Sequence, residues 1–151
     1  MSQVIHIKKG LNIPMLGEAE KVIKKANQAE YYAIKPTDFI GIRPKLLVQP
    51  GDKVKAGTAL FFDKLQERVH FTSPVSGEVT EIRRGERRVI QEIIIKADTT
   101  IEYESIQTGN PNSLSKEEIT EVLLKSGLWP AIRQRPYSTI ANPADTPKAI
   151  F

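Results

Sequence analysis

The stretch Val48-Gln49-Pro50-Gly51-Asp52-Lys53-Val54-Lys55-Ala56-Gly57-Thr58-Ala59-Leu60, continued by Ser73-Pro74-Val75-Ser76-Gly77-Glu78-Val79, decides the fold class of this chain. Pro50 presets its own φ, and Gly51 and Gly57 accept positive φ without a Cβ clash, so the polar steps in this stretch read as turns. Around them, Ala59–Asp63 and Glu78–Ile82 are rich in β-branched and aromatic residues and read as short strands. Further out, Tyr31–Ile34, Leu46–Val48, Val69–Thr72 and Val89–Lys96 have the same character, with turn chemistry again at Pro74–Gly77 and Gly85-Glu86. Residues 40–98 are therefore expected to form one small barrel or sandwich.

Within it lies an echo. Gly51-Asp52, Val54 and an apolar strand ending at Asp63 are followed by Gly85-Glu86, Val89 and an apolar strand ending at Asp98. This fits two matched hairpins closing a flattened barrel, and equally two hairpins that share only turn residues.

Outside the barrel, Val4, Ile5 and Ile7 before Lys8-Lys9-Gly10 predict a strand and a turn. Ala19, Val22, Ile23 and Ala26 stand at i, i+3, i+4 and i+7, which predicts a helix within residues 18–30. A second helix, 115–126, has better signals. Ser115 and Glu118 form a capping box, Ile119, Val122, Leu123 and Ser126 line one face, and Gly127 is placed to end it. Trp129-Pro130 and Arg135-Pro136 then enforce extended backbone. The reading divides the chain into residues 1–39, an N-terminal strand and variable segment; 40–98, the barrel; and 99–151, a linker, the helix and the start of a following domain. Lys148–Phe151 reads as the opening of a strand, so a fragment of a longer protein is expected. The fold class is mainly β with some α.

Composition excludes several functions. The chain has 151 residues, 40% hydrophobic and 26% charged, and no apolar run near the ~20 residues that span a bilayer. It has no cysteine, which removes disulfides, thiolate metal sites, iron–sulfur ligation and cysteine nucleophiles together. The first twenty residues lack the long apolar core of a secretory signal, which points to the cytoplasm. His6 and His70 are the only histidines, and neither has a second ligand at metal spacing on the same predicted element. No dinucleotide, phosphate-loop or serine-hydrolase motif occurs. The formal charge of +4 admits an anionic partner without specifying one.

Two constellations stand out. Arg83, Arg84, Arg87 and Arg88 surround Gly85-Glu86, so four guanidinium groups gather at one hairpin turn. Such a cluster can grip carboxylates or phosphates through bidentate hydrogen bonds, or simply stay solvated; with no interleaved aromatic residue it offers no platform for nucleic-acid bases. Trp129, Arg133, Arg135 and Tyr137 mix flat side chains with planar cations, a set suited to an interface or a flat ligand, while Trp129 alone could equally anchor the end of the helix.

The opening stretch resembles the biotinyl and lipoyl carrier domains, whose barrel-sandwich fold uses similar turns. That resemblance makes Lys64 the candidate for the modified lysine. Lys64 follows Leu60 by only four positions, and Asp63-Lys64-Leu65 keeps only the acid of the carrier surround, so the fold is read as shared and the prosthetic group as absent.

A wider set is more specific. Ile7–Pro14 (IKKGLNIP), Gly41-Ile42-Arg43-Pro44 leading into Val48–Lys64, Phe71-Thr72-Ser73-Pro74, Arg84–Val89 (RGERRV), Ser126-Gly127-Leu128-Trp129 and Arg133–Ser138 (RQRPYS) resemble the A subunit of the sodium-translocating NADH:quinone reductases. The resemblance implies a peripheral subunit on the cytoplasmic side of a bacterial inner membrane, in a complex that oxidises NADH, reduces quinone and exports sodium ions. It implies that flavins and an iron centre sit in other subunits, that this chain holds no cofactor of its own, and that its partners are those subunits and quinone, not nucleic acid. A related electron-transport complex has a subunit sharing the barrel. For contact with quinone or a partner subunit, the residues of choice are Phe39, Arg43, Trp129, Arg133, Arg135 and Tyr137, since a quinone's flat ring suits aromatic and guanidinium faces and its carbonyls need donors. The basic turn of Arg83, Arg84, Arg87 and Arg88 is the candidate for partner docking.

Overall fold

Leu60, Phe61 and Phe62 are all buried although they are consecutive, an arrangement that a regular strand, with side chains alternating between faces, does not allow. The register of the strand pair shifts between Ala59 and Phe61 and again between Phe62 and Asp63, and these bulges turn successive side chains to the same interior. The computed structural model, which describes residues 16–147, builds a sandwich around this break.

Its strands are β1 (Tyr31–Ile34), β2 (Pro44–Leu46), β3 (Lys53–Val54), β4 (Ala59–Asp63), β5 (Gln66–Thr72), β6 (Gly77–Arg84) and β7 (Ile90–Ala97), followed by α1 (Lys116–Lys125) and a small hairpin of β8 (Arg133–Gln134) and β9 (Thr139–Ile140). One sheet runs β1-β7-β6-β3 and the other β2-β4-β5. All these pairs are antiparallel. Val54, Val79, Ile93 and Ile95 from the first sheet meet Leu60, Phe61, Val69 and Phe71 from the second in one buried cluster. Phe61 and Phe71 stack with ring centroids 4.5 Å apart, and Phe39 meets Phe71 edge-on at the same separation. This is the expected barrel-sandwich, mainly β with one α-helix among the described residues.

Gly77 begins β6 where a Cβ would run into the Lys96 carbonyl of β7, so only glycine lets these strands close at that end. Asp63 is buried at the end of β4, and its Oδ1 accepts from the N–H of Arg43 at 2.8 Å and of Leu65 at 3.1 Å. The carboxylate thereby ties the chain entering β2 to the β4–β5 turn. That turn consists of Lys64 and Leu65, so Lys64 stands exposed at a hairpin tip. It reaches this tip four positions after Leu60 because β4 runs to Asp63 and enters the two-residue turn directly.

The helix expected within 18–30 is absent; residues 18–29 carry no regular structure, and Ile23 is fully exposed. Its apolar positions have nothing to pack against, and an isolated short helix is marginal in water. Strand β2 lies two residues earlier than Leu46–Val48, because Pro44 is tolerated where its strand borders no further neighbour. The echo of Gly51 in Gly85 does not reach the backbone. Gly51 has φ +95 in a turn before β3, whereas Gly85 lies in the β6–β7 hairpin without positive φ. The strand expected at Val4–Ile7 and the one expected to open at Lys148 lie outside the described residues.

The capping box of α1 forms as read. Ser115 Oγ accepts from the Glu118 N–H at 3.2 Å and the Glu118 carboxylate accepts from the Ser115 N–H at 2.8 Å. These hydrogen bonds, the one from the Ser115 backbone first, hold the Glu118 carboxyl below its ordinary value. The helix leans on the barrel through Leu124, which is buried in the same core cluster, and through an ion pair of Glu121 with Arg68 of β5. The inward residue is thus Leu124 itself, while Ile119 of the predicted face is exposed.

Candidate functional site

Phe39 is set by a short 3₁₀ turn at Pro36–Asp38, whose Pro36 carbonyl accepts from the Phe39 N–H at 3.2 Å. The ring then leaves the chain toward β5. After α1, Gly127 takes φ +70 and passes so close to Thr72 that a Cβ there would collide with the threonine side chain. A second 3₁₀ turn, Trp129–Ala131, follows and brings Arg133 over Phe39, with its guanidinium carbon 5.5 Å from the ring centroid. Ile34, Phe39, Phe71 and Thr72 on the barrel side and Gly127, Pro130, Ala131 and Arg133 on the other enclose an open cleft of about 260 Å³. That lies just below the range of full small-molecule sites, and suits a single ring rather than a ring with its tail.

The structure therefore joins Phe39 and Arg133, which are far apart in sequence, and leaves the other four proposed residues off the cleft. Trp129 is half-buried against the core, and its Nε1–H donates to the Ala141 carbonyl at 2.7 Å, so its one polar group is taken up internally. Arg43 and Arg135 are exposed, and Tyr137 is 78% exposed. Arg133 also donates weakly to the Ser138 carbonyl at 3.4 Å, which limits its swing. Sequence reasoning missed Phe71, Thr72, Pro130 and Ala131 as walls. Phe71-Thr72 and the Pro after Trp129 were visible, but their convergence was not.

The basic turn divides in a similar way. Arg83 is held by Glu81 at 3.1 Å and by Glu92 at 3.0 Å, contacts that raise its pKa above the ordinary guanidinium value, the Glu81 hydrogen bond most. Arg84 donates to the carbonyl of Arg88 at 3.4 Å. Arg87 and Arg88 have no ion pair among the described residues, and both adopt positive φ, at 54° and 62°. Among the described residues no three histidine or acidic side chains gather as a metal site, and no helix is long and apolar enough to cross a membrane.

Comparison with known proteins agrees with this architecture in the same order. Residues 5–98 match the family model of the NqrA N-terminal barrel-sandwich hybrid domain, and residues 114–151 match that of the NqrA second alpha/beta domain. The chain belongs to the NqrA family. Among curated NqrA relatives, it is similar to the A subunit of the Na(+)-translocating NADH-quinone reductase of Yersinia pseudotuberculosis serotype O:1b, 43% identical over 150 residues, and to that of Tolumonas auensis, 44% identical over 151 residues. The protein of the same name from Pasteurella multocida is 42% identical over 150 residues. Each alignment takes in 98% of this chain and 34% of the relative, so the chain spans about a third of the length of those NqrA proteins. In NqrA terms the Phe39–Arg133 cleft lies where the first matched domain meets the second: Phe39 falls in the barrel match and Arg133 in the alpha/beta match.

Proposed function

We propose that this chain is an N-terminal part of the NqrA subunit of a sodium-translocating NADH:quinone reductase, in which its barrel docks the subunit to its neighbours during electron transfer from NADH to quinone coupled to sodium export. The observation that carries this reading is the collinear similarity: both NqrA domain models in order, and 43% identity across 98% of the chain to a relative of that name. Since β1 (Tyr31–Ile34) pairs with β7, the barrel starts ahead of the expected residue 40; on this reading residues 31–98 are the docking barrel, 99–113 a linker, and α1 opens the following domain. The subunit is peripheral, on the cytoplasmic side of the inner membrane, and reaches the membrane through its partners; flavins and the iron centre belong to other subunits.

The test is made on the native, full-length subunit. Deleting residues 31–97 is expected to abolish sodium-stimulated, NADH-dependent quinone reduction in membranes and to release the subunit from its partners. Membranes that keep full sodium-stimulated activity after the deletion overturn the reading.

The cleft supports a second part of the proposal, that a quinone headgroup contacts Phe39 and Arg133. A flat ring fits against the Phe39 edge, and the guanidinium supplies the donors that a quinone carbonyl accepts. Arg133→Ala in the full-length subunit is expected to raise the quinone KM several-fold with assembly intact. An unchanged KM places the quinone elsewhere.

A further inference from the structure

The β6–β7 hairpin closes in an unusual way. The Glu86 carbonyl accepts from the Val89 N–H at 3.2 Å across Arg87 and Arg88, both with positive φ, which is the pattern of a type I′ turn. Such turns favour Asn-Gly, because any residue with a Cβ is strained in the left-handed region. Here two consecutive arginines occupy it. Two hydrogen bonds hold them there: the Gly85 N–H donates to the Val89 carbonyl at 2.8 Å, and Arg84 reaches over to the Arg88 carbonyl. Strain maintained at a turn tip by its surroundings points to a use for the side chains.

We propose that this turn is a docking surface for a carboxylate-bearing patch on another protein, gripped by Arg87 and Arg88. The proposal deepens the reading of this chain as part of a complex and rests on it. Arg83 is excluded from the grip, since Glu81 and Glu92 already occupy its guanidinium. Arg87 and Arg88 have no such partner among the described residues, and each presents a planar fork suited to bidentate carboxylate pairing. Because the backbone of the turn is held before binding, the loop itself loses little conformational freedom when the contact forms. Val89, next in the chain and 50% exposed, offers an apolar surface at the same turn.

The chemistry favours a protein patch over a lipid surface. Adhesion to anionic lipid grows with the net number of basic groups, and here Glu86 sits in the turn itself while Glu81 and Glu92 neutralise Arg83 behind it. A short-range bidentate pair is not cancelled in this way.

The experiment uses membranes carrying the full-length subunit, washed with increasing KCl while release of the subunit is followed. The variant is Arg87→Asn with Arg88→Gly, which removes both guanidinium groups while supplying the residues the turn prefers. Its thermal midpoint is expected to equal or exceed that of the wild type, which separates lost binding from lost folding. Its attachment is expected to be about tenfold weaker, with release at lower salt. Arg83→Gln serves as the control and is expected to stay attached like the wild type. Retention of the double variant equal to wild type overturns the docking turn while leaving the reading of the chain as NqrA in place; a wild-type subunit that never attaches to membranes overturns both. Salt-sensitive sedimentation of the full-length subunit with phosphatidylglycerol vesicles, lost in the double variant, overturns the protein partner in favour of lipid.

Discussion

Residues 18–30 and 115–126 carry the same apolar spacing, yet only the second is helical. Ala19, Val22, Ile23 and Ala26 repeat the helical interval of Ile119, Val122, Leu123 and Ser126. The first segment even places Glu20 and Lys24 in an i,i+4 ion pair. What it lacks is an N-cap and a surface. In α1, Ser115 and Glu118 satisfy each other's amides, and Leu124 enters the core of the barrel. Periodicity permits a helix; capping and tertiary burial make one.

The contrast can be broken most strongly at Leu124. Leu124→Ala is expected to lower stability by about 3 kcal/mol, the usual loss for a leucine fully buried against its neighbours, and to raise hydrogen exchange throughout α1. Denaturant unfolding measures the first effect; a loss under about 0.5 kcal/mol, the range of surface substitutions, would mean that α1 stands without the barrel.

Gly127→Ala is next. It forces a Cβ into left-handed backbone and into Thr72, for an expected cost of about 2 kcal/mol. Adding Thr72→Ala is expected to recover part of that loss, because the collision and not only the φ is relieved; strict additivity of the two changes would place the cost in the backbone alone.

At the other end of the helix, Ser115→Ala is expected to cost about 1 kcal/mol by removing the cap. The partner carboxyl sets a pH dependence. Since Glu118 is held below its ordinary value in the folded state, its contribution is present above the ordinary carboxylate range and is lost as pH falls through the lowered folded value. Helicity of α1 followed by circular dichroism is therefore expected to decline at acid pH in the wild type and to lose that component in Ser115→Ala. The smallest effect belongs to the other segment. Ile23→Ala, at a fully exposed position, is expected to change stability by less than about 0.5 kcal/mol.

Much of the barrel was legible because turns and strand composition are local. Tyr31–Ile34 and Ala59–Asp63 form strands with the bounds their β-branched and aromatic residues suggest. Strand β3, Lys53–Val54, was not legible, since two residues carry no period and exist as a strand only by pairing with Gly77 and Glu78. The same holds for β8 and β9, which exist only as each other's partners. The site was less legible still. Phe39 and Arg133 each looked suitable for a flat ligand, but their meeting depends on Gly127 passing Thr72 and on the turn at Trp129–Ala131.

The arginine turn draws the same line. Its composition, with four arginines around Gly85-Glu86, is a property of the chain, as are the capping box, the missing thiols and the succession of turns, because each is settled by residues within a few positions of one another. That Arg83 is paired with Glu92 while Arg87 and Arg88 stand at the tip, and that Trp129 commits its N–H to Ala141, follows from long-range packing. Sheet register and strand bulges bring distant carboxylates and carbonyls within hydrogen-bond reach, and no local pattern encodes that reach.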